Sequence, residues 1–164
     1  MKLNAIQTNI AFGTNILDIE VPEHLTRKFA TGLSFVDGAM GGQGFTPSSV
    51  TLFTGTPGAG KTTLMLTLAD AATKRGATVL FNTAEESLYQ TAMTAKRLRL
   101  KHGFRAGNSA NVEEIIENAR KMMEESTSDQ FVLIVDSLQC LDDGKYSSGK
   151  IMFYYLSPIL FVYT

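Results

Sequence analysis

The glycine-rich stretch at residues 55–62 constrains the fold more than any other part of the chain. It reads GTPGAGKT and matches G-x-x-x-x-G-K-[ST], the pattern of a phosphate-binding loop. The apolar, β-branched run 50–54 before it is typical of a strand, and residues 63–75 after it have helical spacing, with Gly76 at the C-cap position. A glycine-rich turn that only joins a strand to a helix is the alternative, but these flanks are the ones that a phosphate-binding loop requires.

The same stretch predicts which residues would hold nucleotide phosphates. Its glycines let the backbone curl until N–H groups point at phosphate oxygens, and the following helix N-terminus adds partial positive charge. Lys61 can reach the β- and γ-phosphates, which makes it a catalytic candidate as well, and the Thr62 hydroxyl can bind Mg²⁺. The predicted nucleotide-binding residues are Gly55, Thr56, Pro57, Gly58, Ala59, Gly60, Lys61, Thr62 and Thr63.

Two further continuous apolar runs, at residues 77–82 and 131–135, predict strands that are covered on both faces. The succession of strand, helix and strand predicts a right-handed βαβ unit. Helices are expected from about 86 to 100 and after the N-cap Asn111, with a short strand at 104–106 between them. The predicted fold class is therefore α/β.

Three carboxylates follow the predicted buried strands. Asp136 ends the run 131–135, where a carboxylate that helps to hold Mg²⁺ is expected, although a turn or helix cap is an alternative role. Glu85 and Glu86 follow the second strand, at the edge where open α/β sheets bind ligands, and one of them is a candidate general base for water. Both can instead cap the next helix, whose N-terminus favours acids.

Composition and charge leave the class of partner open. The chain has 164 residues, about one domain, with 44% hydrophobic residues and a formal net charge of −1, which argues neither for nor against nucleic acid. The single cysteine, Cys140, excludes an internal disulfide and a multi-cysteine zinc site. The first residues form no apolar signal-peptide core, and no apolar run reaches the ~20 residues of a membrane span. We expect a cytoplasmic protein without a membrane partner.

Taken in order along the chain, these motifs resemble the RecA/RadA/KaiC branch of P-loop ATPases. The resemblance runs from about residue 31 to about residue 141. RadA-like proteins share a T-G-[IL]-x-x-[LV]-D stretch, a glycine-rich turn, a G-E-E-S-like turn and an I-D-S-[IV]-Q-like Walker B strand. The matching segments here are Thr31–Asp37, Gly41–Gly44, Ala84–Ser87 and Val135–Gln139.

The resemblance implies a P-loop NTPase fold of RecA type, a mostly parallel sheet flanked by helices and incomplete at the C-terminus. It implies ATP and Mg²⁺ as cofactors, with Thr62 and Asp136 at the metal. Glu85 is the first glutamate of its turn, where RecA-like enzymes keep the catalytic base, so the resemblance favours Glu85 over Glu86 for that role.

For function, the resemblance implies a DNA-dependent ATPase of recombination, repair or replication, which acts as a homo-oligomeric ring or filament on single-stranded or branched DNA. Two other interpretations stay open: a KaiC-like nucleotide-binding regulatory or assembly module with little turnover, and a DnaB-type helicase motor. The RadA zinc finger cannot be built from one cysteine. No arginine finger is evident, and such a group often comes from a neighbouring subunit. We therefore expect the isolated chain to be nearly inert in catalysis.

Two basic segments are candidate phosphate contacts. The segment after the Walker B strand contains Lys145, Tyr146 and Lys150, and its tyrosine can stack on a base. A solvated connector is the alternative for this loop. A second group can bind phosphate, or instead form a solvated helix face or a subunit contact. Its members are Lys96, Arg97, Arg99, Lys101, His102 and Arg105.

We divide the chain into an N-terminal arm (1–30), an ATPase core (31–150) and an atypical apolar tail (151–164). The tail resembles nothing in the family, and we expect a truncated or frame-disrupted product with impaired hydrolysis. RecA-like sheets, however, place one more strand between the P-loop strand and the Walker B strand. Residues 159–164 have strand character, so we hypothesise that they fill this gap after a short helix at 147–157, with Thr164 near the γ-phosphate. The alternative is an exposed, sticky tail.

Overall fold

In the computed structural model of the protein, residues 10–47, 49–142 and 160–163 are described, and their strands form one five-stranded sheet in which every pairing is parallel. The strands are β1 (Val50–Leu52), β2 (Thr78–Thr83), β3 (Arg105–Gly107), β4 (Phe131–Asp136) and β5 (Leu160–Tyr163). Their order across the sheet is β1-β5-β4-β2-β3. The predicted α/β class with a parallel sheet is confirmed.

Five helices accompany these strands within the described residues. They are α1 (Glu23–Thr26), α2 (Ser34–Ala39), α3 (Lys61–Lys74), α4 (Leu88–Arg97) and α5 (Val112–Glu124), with short 3₁₀ turns at Ile16–Asp18 and Leu138–Cys140. Helix α3 begins directly at the predicted phosphate-binding lysine, two residues earlier than its apolar spacing indicated. The helix predicted at about 86–100 is α4, and the strand predicted at 104–106 is β3. Their ends differ from the prediction by one to three residues.

The two central strands β2 and β4 are covered on both faces, which explains why their apolar runs are continuous. Successive side chains of a strand point to opposite faces of the sheet. On one face, Phe81 and Ile134 are buried in the same cluster as Met65 and Leu66 of α3. On the other face, their strand neighbours pack against α5. That second cluster contains Leu80, Leu133, Val135, Val112, Ile115, Ile116 and Ala119.

The apolar C-terminal run forms the strand that was hypothesised. Strand β5 lies between β1 and β4 and pairs in parallel with both, with Phe161 opposite Val50 on one side and opposite Leu133 on the other. The alternative of an exposed tail is therefore wrong for residues 160–163. The predicted helix at 147–157 and the position of Thr164 lie outside the described residues.

Two residues that precede the phosphate-binding loop in the chain, Phe29 and Phe45, pair with each other and join the core. Phe29 and Phe45 form an antiparallel bridge with two backbone hydrogen bonds of 2.7 and 2.8 Å. Gly44 adopts φ +85°, and a Cβ at this position would overlap the Phe29 carbonyl oxygen, so the close approach of the two chains requires glycine. Both phenylalanines are buried and contribute to the cluster around α3.

Candidate nucleotide-binding site

The phosphate-binding loop has the backbone geometry that its glycines allow. Gly58 and Gly60 adopt φ values of +77° and +84°, a left-handed conformation that other residues adopt only with strain. Gly60 is the N-cap of α3, so the loop passes directly into the first turn of that helix. Residues 55–60 are exposed to solvent. The loop therefore presents the N-terminus of a 14-residue helix to any ligand at this edge of the sheet.

Lys61 is folded back over the loop. Its ammonium donates hydrogen bonds to the carbonyl oxygens of Gly55, at 3.0 Å, and Thr56, at 3.2 Å. These partners hold the cation at the mouth of the loop rather than against the core. An anionic oxygen is a stronger acceptor than a carbonyl, so phosphate can replace these two bonds.

Asp136 ends β4 and is buried, with 5% of its surface exposed. The backbone N–H of Ala84 donates to the Asp136 carbonyl oxygen at 2.7 Å, which ties the end of β2 to the end of β4. Because all the strands are parallel, the last residue of β4, Asp136, lies at the same edge of the sheet as Glu85, which follows β2, and the phosphate-binding loop, which follows β1.

Glu85 and Glu86 occupy a short turn between β2 and α4. The Glu85 side chain is exposed and has no hydrogen-bond partner among the described residues. The backbone of Glu86 is held by Thr83, whose hydroxyl accepts from the Glu86 N–H and donates to its carbonyl oxygen, both at 3.0 Å. The turn thus leaves the Glu85 carboxylate available to solvent and to a ligand.

Neither glutamate caps the next helix, which had been left open as an alternative. Ser87 is the N-cap of α4, and it forms a capping box with Gln90: the Gln90 N–H donates to the Ser87 hydroxyl, and the Ser87 N–H donates to the Gln90 side chain. The pattern S-x-x-Q at residues 87–90 is the sequence signal of this helix start.

Oxygen donors suited to Mg²⁺ are present at this edge of the sheet. The hydroxyl of Thr62 stands in the first turn of α3, and the carboxylate of Asp136 is the hard, anionic ligand that Mg²⁺ prefers. No group of three or more His, Cys, Asp or Glu side chains that could hold a metal occurs among the residues that the structure describes.

Of the two basic segments, only the second falls within the described residues; Lys145, Tyr146 and Lys150 lie outside them. The second segment is exposed along the end of α4, the following loop and β3. Within the described part of the chain, no ion pair involves its Lys, Arg or His side chains. Its backbone is fixed by Asp70 of α3, whose carboxylate accepts from the N–H groups of Lys101 and His102.

A cavity of about 520 Å³ lies away from the phosphate-binding loop, between β3 and α5. Asn82, Arg105, Asn108 and Glu114 are among the residues that line it. No residue of the phosphate-binding loop lines this cavity. No helix in the described ranges is long and apolar enough to cross a membrane.

Sequence reasoning missed the polar residues that support the turn at Glu85. Asn108 follows β3, and its side-chain amide donates to the carbonyl oxygens of Thr83, at 2.9 Å, and Glu86, at 3.0 Å. The Asn82 side chain exchanges two hydrogen bonds with the backbone of Ser109. These contacts join residues 22–27 positions apart, and nothing in the local pattern indicates them.

Comparison with known proteins is consistent with this geometry. Residues 43–146 match the family described as AAA domain. The chain is 36% identical over 135 residues to the DNA repair protein RadA of Haemophilus influenzae, a match that covers 80% of this chain and 28% of that protein. It is 36% identical over 142 residues to RadA of Campylobacter jejuni (82% and 28%) and 35% identical over 135 residues to RadA of Aquifex aeolicus (82% and 28%). The chain thus matches a little over a quarter of the length of these relatives.

Proposed function

The chain belongs to the AAA-domain P-loop ATPases of RecA/RadA type, and we propose that it binds Mg²⁺–ATP and hydrolyses it in an activity that depends on DNA. One observation carries this proposal. The phosphate-binding loop and Glu85 follow β1 and β2 of one parallel sheet and Asp136 ends β4, so all three lie at its carboxyl edge, which supports the proposal. Their roles as nucleotide, base and metal residues are part of the proposal.

The proposed reaction is the attack of water on the γ-phosphorus of ATP. Glu85 accepts a proton from the water while the new P–O bond forms and the bond from the γ-phosphorus to the β,γ-bridging oxygen breaks, which releases ADP and phosphate. Lys61 and the N–H groups of residues 58–62 stabilise the charge on the phosphate oxygens. When bound, Mg²⁺ neutralises phosphate charge, and Thr62 and Asp136 are the residues that would hold it.

DNA is proposed as the partner because the relatives are named DNA repair proteins. We propose that the contacts come from the segment with Lys145, Tyr146 and Lys150, as a basic loop with an aromatic residue can follow a phosphate backbone and stack on a base. An assembly of several copies, in a ring or a filament, is part of the same proposal. Such an assembly can supply the arginine finger that is not evident in the sequence.

The test is ATP hydrolysis measured while single-stranded DNA is titrated. We expect weak turnover of the chain alone and clear stimulation by DNA, with both requiring Mg²⁺. The Lys61→Ala variant, measured beside the parent, shows whether the activity belongs to this site and not to a contaminant. Tight ATP binding with negligible turnover at every DNA concentration would contradict the proposal and favour a KaiC-like binding module.

A further inference from the structure

Two polar side chains hold the turn that carries Glu85. Thr83, at the end of β2, is linked through its hydroxyl to both the N–H and the carbonyl oxygen of Glu86. Asn108 reaches the same turn from the end of β3 and donates to the carbonyl oxygens of Thr83, at 2.9 Å, and Glu86, at 3.0 Å. The residues before and after Glu85 are therefore fixed, while the Glu85 carboxylate itself has no partner among the described residues.

The orientation of the Asn108 amide is determined by its partners. Both are carbonyl oxygens, which only accept hydrogen bonds, so the NH₂ end of the amide must face them and uses both of its donors. No other residue type of the same size offers two donors on one atom in this position. Aspartate has the same shape but, when ionised, would place acceptors against acceptors.

The backbone next to Asn108 is tied to β2. Its neighbour Ser109 is bound by Asn82, whose side chain donates to the Ser109 carbonyl oxygen at 2.8 Å and accepts from the Ser109 N–H at 3.1 Å. Asn82 is buried in the end of β2, with 2% of its surface exposed. Gly107 permits this approach, because a Cβ there would lie only 3.1 Å from the Asn82 side-chain oxygen.

We propose that Asn108 is a positioning residue for hydrolysis: by holding the turn between Thr83 and Glu86, it fixes where Glu85 meets the attacking water. This inference rests on the proposed function, in which Glu85 is the base. A base must stand within hydrogen-bond reach of the proton that it removes, and small misplacements reduce the rate strongly. Nucleotide binding depends on the phosphate-binding loop, which Asn108 does not contact, so binding and turnover should separate.

The test compares Asn108→Ala and Asn108→Asp with the control Asn118→Ala. Asn118 also donates its amide to a backbone carbonyl, but within α5, to Glu114 at 2.9 Å. We expect both Asn108 variants to lower kcat about 10- to 100-fold. Their affinity for Mg²⁺–ATP should stay within about twofold of the parent. Amide hydrogen exchange of residues 84–87 should become faster in both, and Asn118→Ala should change none of these quantities.

A double variant separates positioning from a general structural role. If Asn108 acts through Glu85, adding Asn108→Ala to Glu85→Gln should cause no further loss of turnover. Four outcomes would overturn the role of Asn108 and leave the proposed function standing. In the Asn108 variants they are an unchanged kcat, unchanged exchange at residues 84–87, or a loss of ATP affinity as large as the loss of kcat. In the double variant it is a full further loss of turnover. A parent chain without turnover, or a Glu85→Gln variant as active as the parent, overturns the proposed function and this inference with it.

Discussion

At the scale of single residues, Lys61 shows how the loop holds its cation without a charged partner among the described residues. Its ammonium is bound by the carbonyl oxygens of Gly55 and Thr56, which belong to the same loop. A phosphate group can therefore replace the two carbonyl oxygens as the hydrogen-bond partner of the Lys61 ammonium by a change within the loop.

Lys61→Ala should abolish ATP binding while the melting temperature stays close to that of the parent, because both hydrogen-bond partners of the lysine ammonium belong to the loop. Titration with a fluorescent ATP analogue and thermal unfolding measure the two quantities. Lys74→Ala is the matched control, since Lys74 is exposed in the last turn of the same helix. ATP binding as tight as in the parent would show that the loop is not the nucleotide site.

Glu85→Gln should keep ATP affinity and lower hydrolysis to a small residual rate, because it deletes the basic oxygen and preserves the size of the side chain. Positioned general bases contribute about 10²–10⁴-fold to rates, which sets the scale of the loss in kcat. Glu86→Gln is the control, as the structure fixes Glu86 through its backbone. The reverse pattern, with loss only in Glu86→Gln, would move the base by one residue.

At the scale of elements, hydrogen bonds between Thr31, Gly32 and Asp37 give the motif at residues 31–37 a structural role. Asp37 lies in α2 and is buried, with 7% of its surface exposed. Its carboxylate accepts from the Thr31 N–H, the Thr31 hydroxyl and the Gly32 N–H, all at 2.9 Å. The threonine, glycine and aspartate thus close a loop over the core cluster around α3, away from any proposed chemistry.

Asp37→Ala should lower the free energy of unfolding by about 2–4 kcal/mol, because it leaves buried donors of Thr31 and Gly32 without their acceptor. Urea unfolding monitored by circular dichroism measures the change. The control is Asp129→Ala, an exposed aspartate in the loop before β4, for which we expect a change within about 0.5 kcal/mol. Equal stability of Asp37→Ala and the parent would mean that these three hydrogen bonds do not support the fold.

At the scale of the whole molecule, β5 joins β1 to β4 within the sheet. Without it, β1 and β4 would face a gap in the middle of the sheet, and their backbone groups on that side would lack partners. The last described residues of the chain thus join the P-loop strand to the strand that ends in Asp136. A change there should affect both stability and nucleotide binding.

Phe161→Pro should destabilise the protein and weaken ATP binding together. Proline removes an N–H from a strand that is paired on both sides, which leaves a carbonyl partner unsatisfied at a cost of about 1–3 kcal/mol. Phe161→Val keeps the N–H and the strand propensity and serves as the control. Thermal unfolding and fluorescent ATP titration measure both effects. If the proline variant matches the control in both, β5 does not hold β1 and β4 together.

The sequence alone determined the elements and the phosphate-binding loop, because these depend on local chemistry. Glycines at 58 and 60 permit a backbone that few other residues adopt, and the continuous apolar runs 77–82 and 131–135 require strands buried on both faces. The start of α4 differed from the prediction. Ser87, not a glutamate, is its N-cap, because the Ser87 hydroxyl and the Gln90 side chain satisfy each other's backbone N–H groups.

Only the tertiary structure decided which distant segments meet. The insertion of β5 between β1 and β4 was one of two hypotheses from sequence, because an apolar run by itself does not tell a central strand from an exposed tail. No sequence pattern indicated the hydrogen bonds from Asn108 to the turn at Glu85. An asparagine side chain has no preferred distant partner, and it finds Thr83 and Glu86 only because β3 lies beside β2 in the folded sheet.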